Sequence, residues 1–137
     1  MLRTYRIFIS HAWHRDEEYW RVVDMLSTAP YFSWLNLSVP EHDPIDSSDT
    51  EELKRVLRDQ IRESCVFIAC CGMWVPRSEW ILHEVQFARR IGRPVIGVPP
   101  WGQLVLPTAI APHAQALASR QDTLVSAVRS LALPEGA

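Results

Sequence analysis

Glycine-rich phosphate-binding loops are absent from this sequence. Only 5 of the 137 residues are glycine, and neither a GxGxxG nor a GxxxxGK[ST] pattern occurs. In the folds that carry them, these loops surround the phosphates of a dinucleotide or a nucleoside triphosphate. The GxSxG turn that presents a nucleophilic serine in α/β-hydrolases is missing too. A nucleotide ligand would therefore have to be held in another manner.

Cysteine is scarce, and its spacing is unlike that of a disulfide framework or of paired metal ligands. The three residues, Cys65, Cys70 and Cys71, fall within seven positions and two are adjacent. We predict that they are small buried residues of a strand in a reducing cytoplasm. The alternative, a metal held by Cys70 or Cys71 with His83 or His11, is disfavoured because free cysteine is so often merely buried. We expect no metal.

An excess of charge of one sign and a long hydrophobic run are also lacking. The 14 basic and 16 acidic residues give a net charge of −2, so we expect no nucleic-acid partner and no membrane partner. No apolar run approaches the roughly 18 residues of a membrane span, and the charged start leads straight into a strand pattern. We predict a soluble, cytoplasmic protein whose residues 1–137 form a single domain.

Strand and helix patterns alternate along the chain. Apolar runs ended by turn residues predict strands at residues 5–10, 34–39, 65–71 and 94–98, with a weaker one within 113–119. Helical spacing of apolar residues predicts helices at 16–26, 53–64, 80–91 and 122–131. This alternation predicts an α/β fold, a flavodoxin-like three-layer sandwich. It has about five parallel strands in the order 2-1-3-4-5 with helices on both faces.

The predicted strand order also locates a ligand site. In such sheets ligands bind beyond the carboxyl ends of the strands where the order reverses, here between the first and third strands. The loops at residues 10–15 and 72–79 should flank this crevice, with the polar loop at residues 41–49 beside them.

Glu84 is the leading candidate for chemistry. On the third helix, Ile81, Val85 and Ala88 should face the sheet, which puts Glu84 at the border of the buried face near the crevice. A helical glutamate of this kind can equally be a solvated or ion-paired side chain. A perturbed acid beside a crevice, however, is typical of a functional site.

The other candidates have a structural alternative as well. Trp80 either covers the core or provides a flat surface on which a heterocycle stacks. Ser10 and His11 either close a turn or meet the ribose or phosphate of a ligand. Asp43 lies in a loop that is solvated or that joins Glu84 in a two-carboxylate hydrolase.

Several segments together resemble a known family. RIFISH at residues 6–11, WLNLSVP at 34–40 followed by Asp43-Pro44, VFI at 66–68, WILHE at 80–84 and PVIGV at 94–98 occur in this order. Their order and spacing are similar to those of the TIR-like domain of the Thoeris ThsB family, bacterial relatives of Toll/interleukin-1 receptor domains. The similarity extends from about residue 3 to about residue 131.

The resemblance implies a flavodoxin-like fold and cleavage of NAD at the nicotinamide–ribose bond, with no cofactor, because NAD is the substrate. In the antiphage family the ADP-ribose part becomes a diffusible signal that reaches a separate effector. Glu84 matches the catalytic glutamate, and residues 40–49 match a loop that reaches a neighbouring subunit. The resemblance further implies substrate-binding residues Ser10, His11, Asn36, Ser38, Asp43 and Trp80.

Two other functions stay open at this point. The same fold can be a non-catalytic TIR-like protein-interaction module that assembles through residues 40–49. It can also be a nucleoside deoxyribosyltransferase-like enzyme that uses the carboxylate of Glu84 on a different glycosidic bond. Release of nicotinamide from NAD distinguishes the leading hypothesis from both.

Overall fold

The computed structural model describes residues 3–10, 17–38, 50–71, 74–100 and 102–136. Five strands form one parallel sheet, and four α-helices cover it. The strands are β1 (Thr4–Ser10), β2 (Ser33–Asn36), β3 (Val66–Cys70), β4 (Val95–Val98) and β5 (Ala116–Leu117). The helices are α1 (Glu17–Thr28), α2 (Thr50–Glu63), α3 (Trp74–Arg90) and α4 (Gln121–Leu131).

The strand order is β2-β1-β3-β4-β5, and every neighbouring pair is parallel. The predicted flavodoxin-like α/β class is therefore confirmed. β3 lies in the middle and is buried along its whole length, as its unbroken apolar sequence predicts. Its register with β1 aligns Ile7 with Val66 and Ser10 with Ala69.

Alternate residues of β1 enter two separate parts of the core. Phe8 packs with residues of α2 and α3, whereas Ile7 and Ile9 pack with residues of α1 and α4. This division follows from the two-residue period of a strand. One pair of helices therefore covers each face of the sheet, and a side chain's position in β1 determines which pair it meets.

Two predicted boundaries are wrong. α3 begins at Trp74, so most of the loop predicted at residues 72–79 is helical. Pro76 does not prevent this, because the first helical turn has backbone donors without intrahelical acceptors and a proline there loses no bond. β2 ends at Asn36 instead of residue 39, although the Leu37 amide still donates to the Ile7 carbonyl.

The helices of the described segments are also too short or too polar to cross a bilayer.

Candidate functional site

The carboxyl ends of β1 and β3 form the centre of the candidate site. The strand order reverses between these two strands, since β2 lies on one side of β1 and β3 lies on the other. Ser10 is the last residue of β1 and lies two positions after Phe8, so both side chains point to the face covered by α2 and α3.

Ser10 and Glu84 meet at this point. The Ser10 hydroxyl donates to Glu84 Oε1 at 2.5 Å, a distance typical of a hydroxyl bound to a carboxylate. Both residues are buried, and Glu84 is only 1% exposed. Burying a carboxylate is costly unless it is hydrogen-bonded or paired. Among the residues whose side chains the structure describes, Glu84 is the one buried acid.

The sequence of α3 explains this burial. Ile81, Val85 and Ala88 are buried against the sheet, and Glu84 lies in the same stripe at helical spacing. Gln86 is exposed, as its place on the outer face predicts. Glu84 was expected at the border of the buried face, but it lies within it.

Asn36 and Ser38 are both predicted to bind substrate; Asn36 is the last residue of β2, and Ser38 lies two positions after it. The Asn36 side-chain amide donates to the Tyr19 hydroxyl at 2.8 Å, and the Ser38 backbone amide donates to Asn36 Oδ1 at 2.9 Å. The Ser38 hydroxyl lies 3.2 Å from both the amide and the carbonyl of Ile9. Whether Asn36 or Ser38 also contacts substrate stays a prediction.

Tyr19 was not predicted as a site residue. Its position in α1 at helical spacing indicates a core residue, and its side chain is indeed fully buried. Its hydroxyl meets a residue 17 positions away on another element. The helical spacing of apolar residues predicts that Tyr19 is buried, but it does not predict which residue its hydroxyl contacts.

The remaining predicted residues lie wholly or partly outside the described part of the chain. His11, Asp43 and the loop at residues 40–49 lie outside the described residues. The backbone of Trp80 belongs to α3, but its side chain is not among those described.

The three cysteines are buried and form no disulfide, and no group of three or more His, Cys, Asp or Glu side chains in the described ranges is arranged to bind a metal. Burial raises the pKa of the Cys71 thiol to about 12, so it is protonated at neutral pH and a poor nucleophile. The pKa of His83 is shifted in the opposite direction, below its ordinary value. Burial is the main cause that lowers the pKa of His83, and the nearby cations of Lys54, Arg58 and Arg90 lower it further. The negative charge of Glu51 acts in the opposite direction and raises it.

Comparison with known proteins gives a family and a fold. The fold and the buried acid at the sheet's switch point are those of a flavodoxin-like α/β protein with a carboxylate site. Residues 8–104 match the family described as "Thoeris protein ThsB, TIR-like domain". This match covers more than half of the chain, which therefore belongs to the Thoeris ThsB TIR-like family. No curated protein matches the sequence.

A solved structure supports the fold. A conserved protein from Enterococcus faecalis V583 is similar with a TM-score of 0.64, covering 93% of this chain and 99% of that one at 9% sequence identity. At this identity the likeness concerns the fold alone. Family membership suggests a role in antiphage defence and is compatible with NAD-consuming activity.

Proposed function

We propose that this protein is an NAD-consuming enzyme that breaks the bond between nicotinamide and ribose, with Glu84 as its catalytic residue. The observation that supports this most strongly is the buried Ser10–Glu84 pair at the carboxyl ends of β1 and β3. Acids in perturbed, buried environments cluster at functional sites, and a buried acid at a ligand-binding edge is the kind of departure from a purely apolar core that such sites contain. Membership of the ThsB TIR-like family is compatible with the same reaction.

The reaction suits a single carboxylate. The C–N bond between ribose C1 and nicotinamide breaks, its electron pair leaves with the nicotinamide, and the ribose takes on oxocarbenium character. A carboxylate beside the ribose can stabilise that positive charge and hold the ribose hydroxyls. Attack by water, with loss of a proton, then gives ADP-ribose, whereas attack by an atom of the same molecule gives a cyclic product.

The other predicted residues would shape the pocket around this step. Ser10 orients the Glu84 carboxylate through its hydrogen bond. Trp80 would stack on the nicotinamide ring, and His11 and Asp43 would contact the ribose or phosphates. NAD is the substrate in this proposal, and no metal or bound cofactor takes part, because the positively charged nicotinamide is already a good leaving group.

The product would act as a diffusible nucleotide signal in the cytoplasm, where a separate effector binds it during antiphage defence. Self-association through residues 40–49 belongs to the same proposal. The implied small-molecule partner is NAD, with no nucleic acid or membrane involved.

Nicotinamide release from NAD tests the proposal, with wild type compared to Glu84→Gln. The substitution keeps the size of the side chain but removes the negative charge. We expect turnover to fall by about 10²-fold or more, which is typical when one group that stabilises a transition-state charge is removed. Glu79→Gln is the matched control, because Glu79 is exposed on the same helix, and it should keep wild-type activity.

The assay is run with purified protein and with extracts of phage-infected cells, because a defence enzyme can require a trigger before it turns over. Equal turnover by wild type and Glu84→Gln would contradict the role of Glu84. NAD that is neither bound nor consumed under either condition would favour the interaction module. Cleavage of other nucleosides in preference to NAD would favour the deoxyribosyltransferase-like enzyme.

A further inference from the structure

We propose that Tyr19 is a positioning residue of the active site, which acts through Asn36 and Ser38 on the β1 end that carries Ser10. This inference rests on the proposed function, since it concerns the same pocket. It assigns a role to a buried phenol on α1, a helix that covers the opposite face of the sheet from α3.

The first link joins a buried group to an exposed one. The Tyr19 side chain is fully buried, whereas Asn36 is exposed at the end of β2. The hydroxyl of Tyr19 accepts from the Asn36 amide at 2.8 Å. A side chain at the surface is thereby held in one orientation by a group that packing has already fixed.

The second link extends β2 beyond its last paired residue. Asn36 Oδ1 accepts from the Ser38 amide at 2.9 Å, which is the geometry of an Asx turn. The turn places the Ser38 hydroxyl 3.2 Å from both the amide and the carbonyl of Ile9. The Ser38 side chain therefore provides the hydrogen bonds that a further residue of β2 would otherwise make with β1.

The last hydrogen bond of the path is the one from Ser10 to Glu84. Ile9 directly precedes Ser10, whose hydroxyl donates to Glu84 Oε1 at 2.5 Å. A continuous path of hydrogen bonds and one peptide unit thus runs from Tyr19 to Glu84 by way of Asn36 and Ser38. It fixes the end of β1 from the side opposite to Ala69, its partner on β3.

A loss of this restraint should affect the reaction more than binding. A displacement of about 1 Å in a group that orients the substrate can lower a rate by up to about 10²-fold. Tyr19→Phe removes the hydroxyl and keeps the buried ring. We expect kcat for nicotinamide release to fall about tenfold, with KM changed by less than about twofold.

Two further variants test whether Tyr19 affects kcat through its hydrogen bond to Asn36. Tyr31→Phe makes the same chemical change at a side chain that is 83% exposed, and it should keep wild-type kinetics. If Tyr19 acts through Asn36, then Tyr19→Phe should have no further effect in an Asn36→Ala background. Independent, multiplying losses in the double variant would overturn the proposal, as would an unchanged kcat in Tyr19→Phe.

Amide hydrogen exchange measured by NMR separates this inference from the proposed function, because it needs no turnover. We expect the amides of Ile9 and Ser38 to exchange about tenfold faster in Tyr19→Phe, with Tyr31→Phe like wild type and the β3 amides unchanged in both. Unchanged exchange at Ile9 and Ser38 would overturn the inference even in an active enzyme. If the wild type consumes no NAD, the proposed function fails, and exchange alone decides whether Tyr19 holds this segment.

Discussion

At the scale of single residues, the important contact is a hydroxyl that donates to a buried carboxylate. Ser10 and Glu84 are 74 positions apart, and both are buried where two strands end. The sequence predicted that both residues lie near one crevice, because the predicted strand order places the loops after the first and third strands at the same edge of the sheet. It could not predict the hydrogen bond between them, which depends on side-chain conformation in the folded state.

Ser10→Ala should destabilise the fold and weaken catalysis together. A hydrogen bond to a charged group contributes about 2 kcal/mol, and its loss leaves the buried Glu84 carboxylate with one donor fewer. We expect a loss of about this size in the free energy of unfolding by urea, with a lower kcat for nicotinamide release.

Ser64→Ala is the matched control for this change. Ser64 is buried too, but its hydroxyl donates to the neutral Ile61 carbonyl at 2.6 Å. We expect a loss of about 1 kcal/mol and unchanged kinetics. An equal effect of the two substitutions on stability and activity would contradict the special role of Ser10.

At the scale of secondary-structure elements, prediction succeeded where the apolar pattern was strong. The buried run of β3 and the periodic helices were found close to their observed bounds. The sequence places the start of α3 too late, because Pro76 is typical of a loop, although a proline is compatible with the first helical turn. β5 has only two residues, and its pairing with β4 depends on tertiary contacts that a short segment cannot encode.

β4 provides an element-scale prediction at Gly97. A Cβ atom added there would lie 2.6 Å from Leu106 Cδ1, so the Leu106 side chain occupies the space that a larger residue would need. Gly97→Ala should lower the free energy of unfolding by about 1–2 kcal/mol through overpacking. The measurement is urea unfolding monitored by circular dichroism.

Combining Gly97→Ala with Leu106→Ala tests whether the contact with Leu106 causes the loss of stability. Once the leucine is shortened, Gly97→Ala should cost less than it does in the wild type, because the close contact is gone. The same cost in both backgrounds would show that the methyl group acts through something other than Leu106.

At the scale of the whole molecule, the two ends of the sheet differ in the hydrogen bonds that their polar side chains make. At the amino end, arginines satisfy helix carbonyls: Arg6 donates to the Glu63 carbonyl and Arg93 to the Arg62 carbonyl, each at 2.6 Å. At the carboxyl end lie the buried Ser10–Glu84 pair and the bonds of Asn36 and Ser38. The amino end thus carries hydrogen bonds to the last carbonyls of α2, and the proposed chemistry belongs to the carboxyl end.

The order of the strands was predictable at this scale, because alternating strands and helices leave few topologies. The path from Tyr19 to Ile9 was not, since it combines three elements through polar atoms whose partners are far apart in sequence. The fold therefore followed from patterns of apolar residues, whereas the hydrogen bonds that join Tyr19, Asn36, Ser38 and Ile9 followed only from the structure.

A structure of the protein with an unreactive NAD analogue bound would test the role of Glu84 most directly. The proposed function predicts that the analogue occupies the crevice at the ends of β1 and β3, with its nicotinamide-bearing ribose within hydrogen-bonding distance of the Glu84 carboxylate. An analogue bound elsewhere, with that ribose out of reach of Glu84, would contradict it.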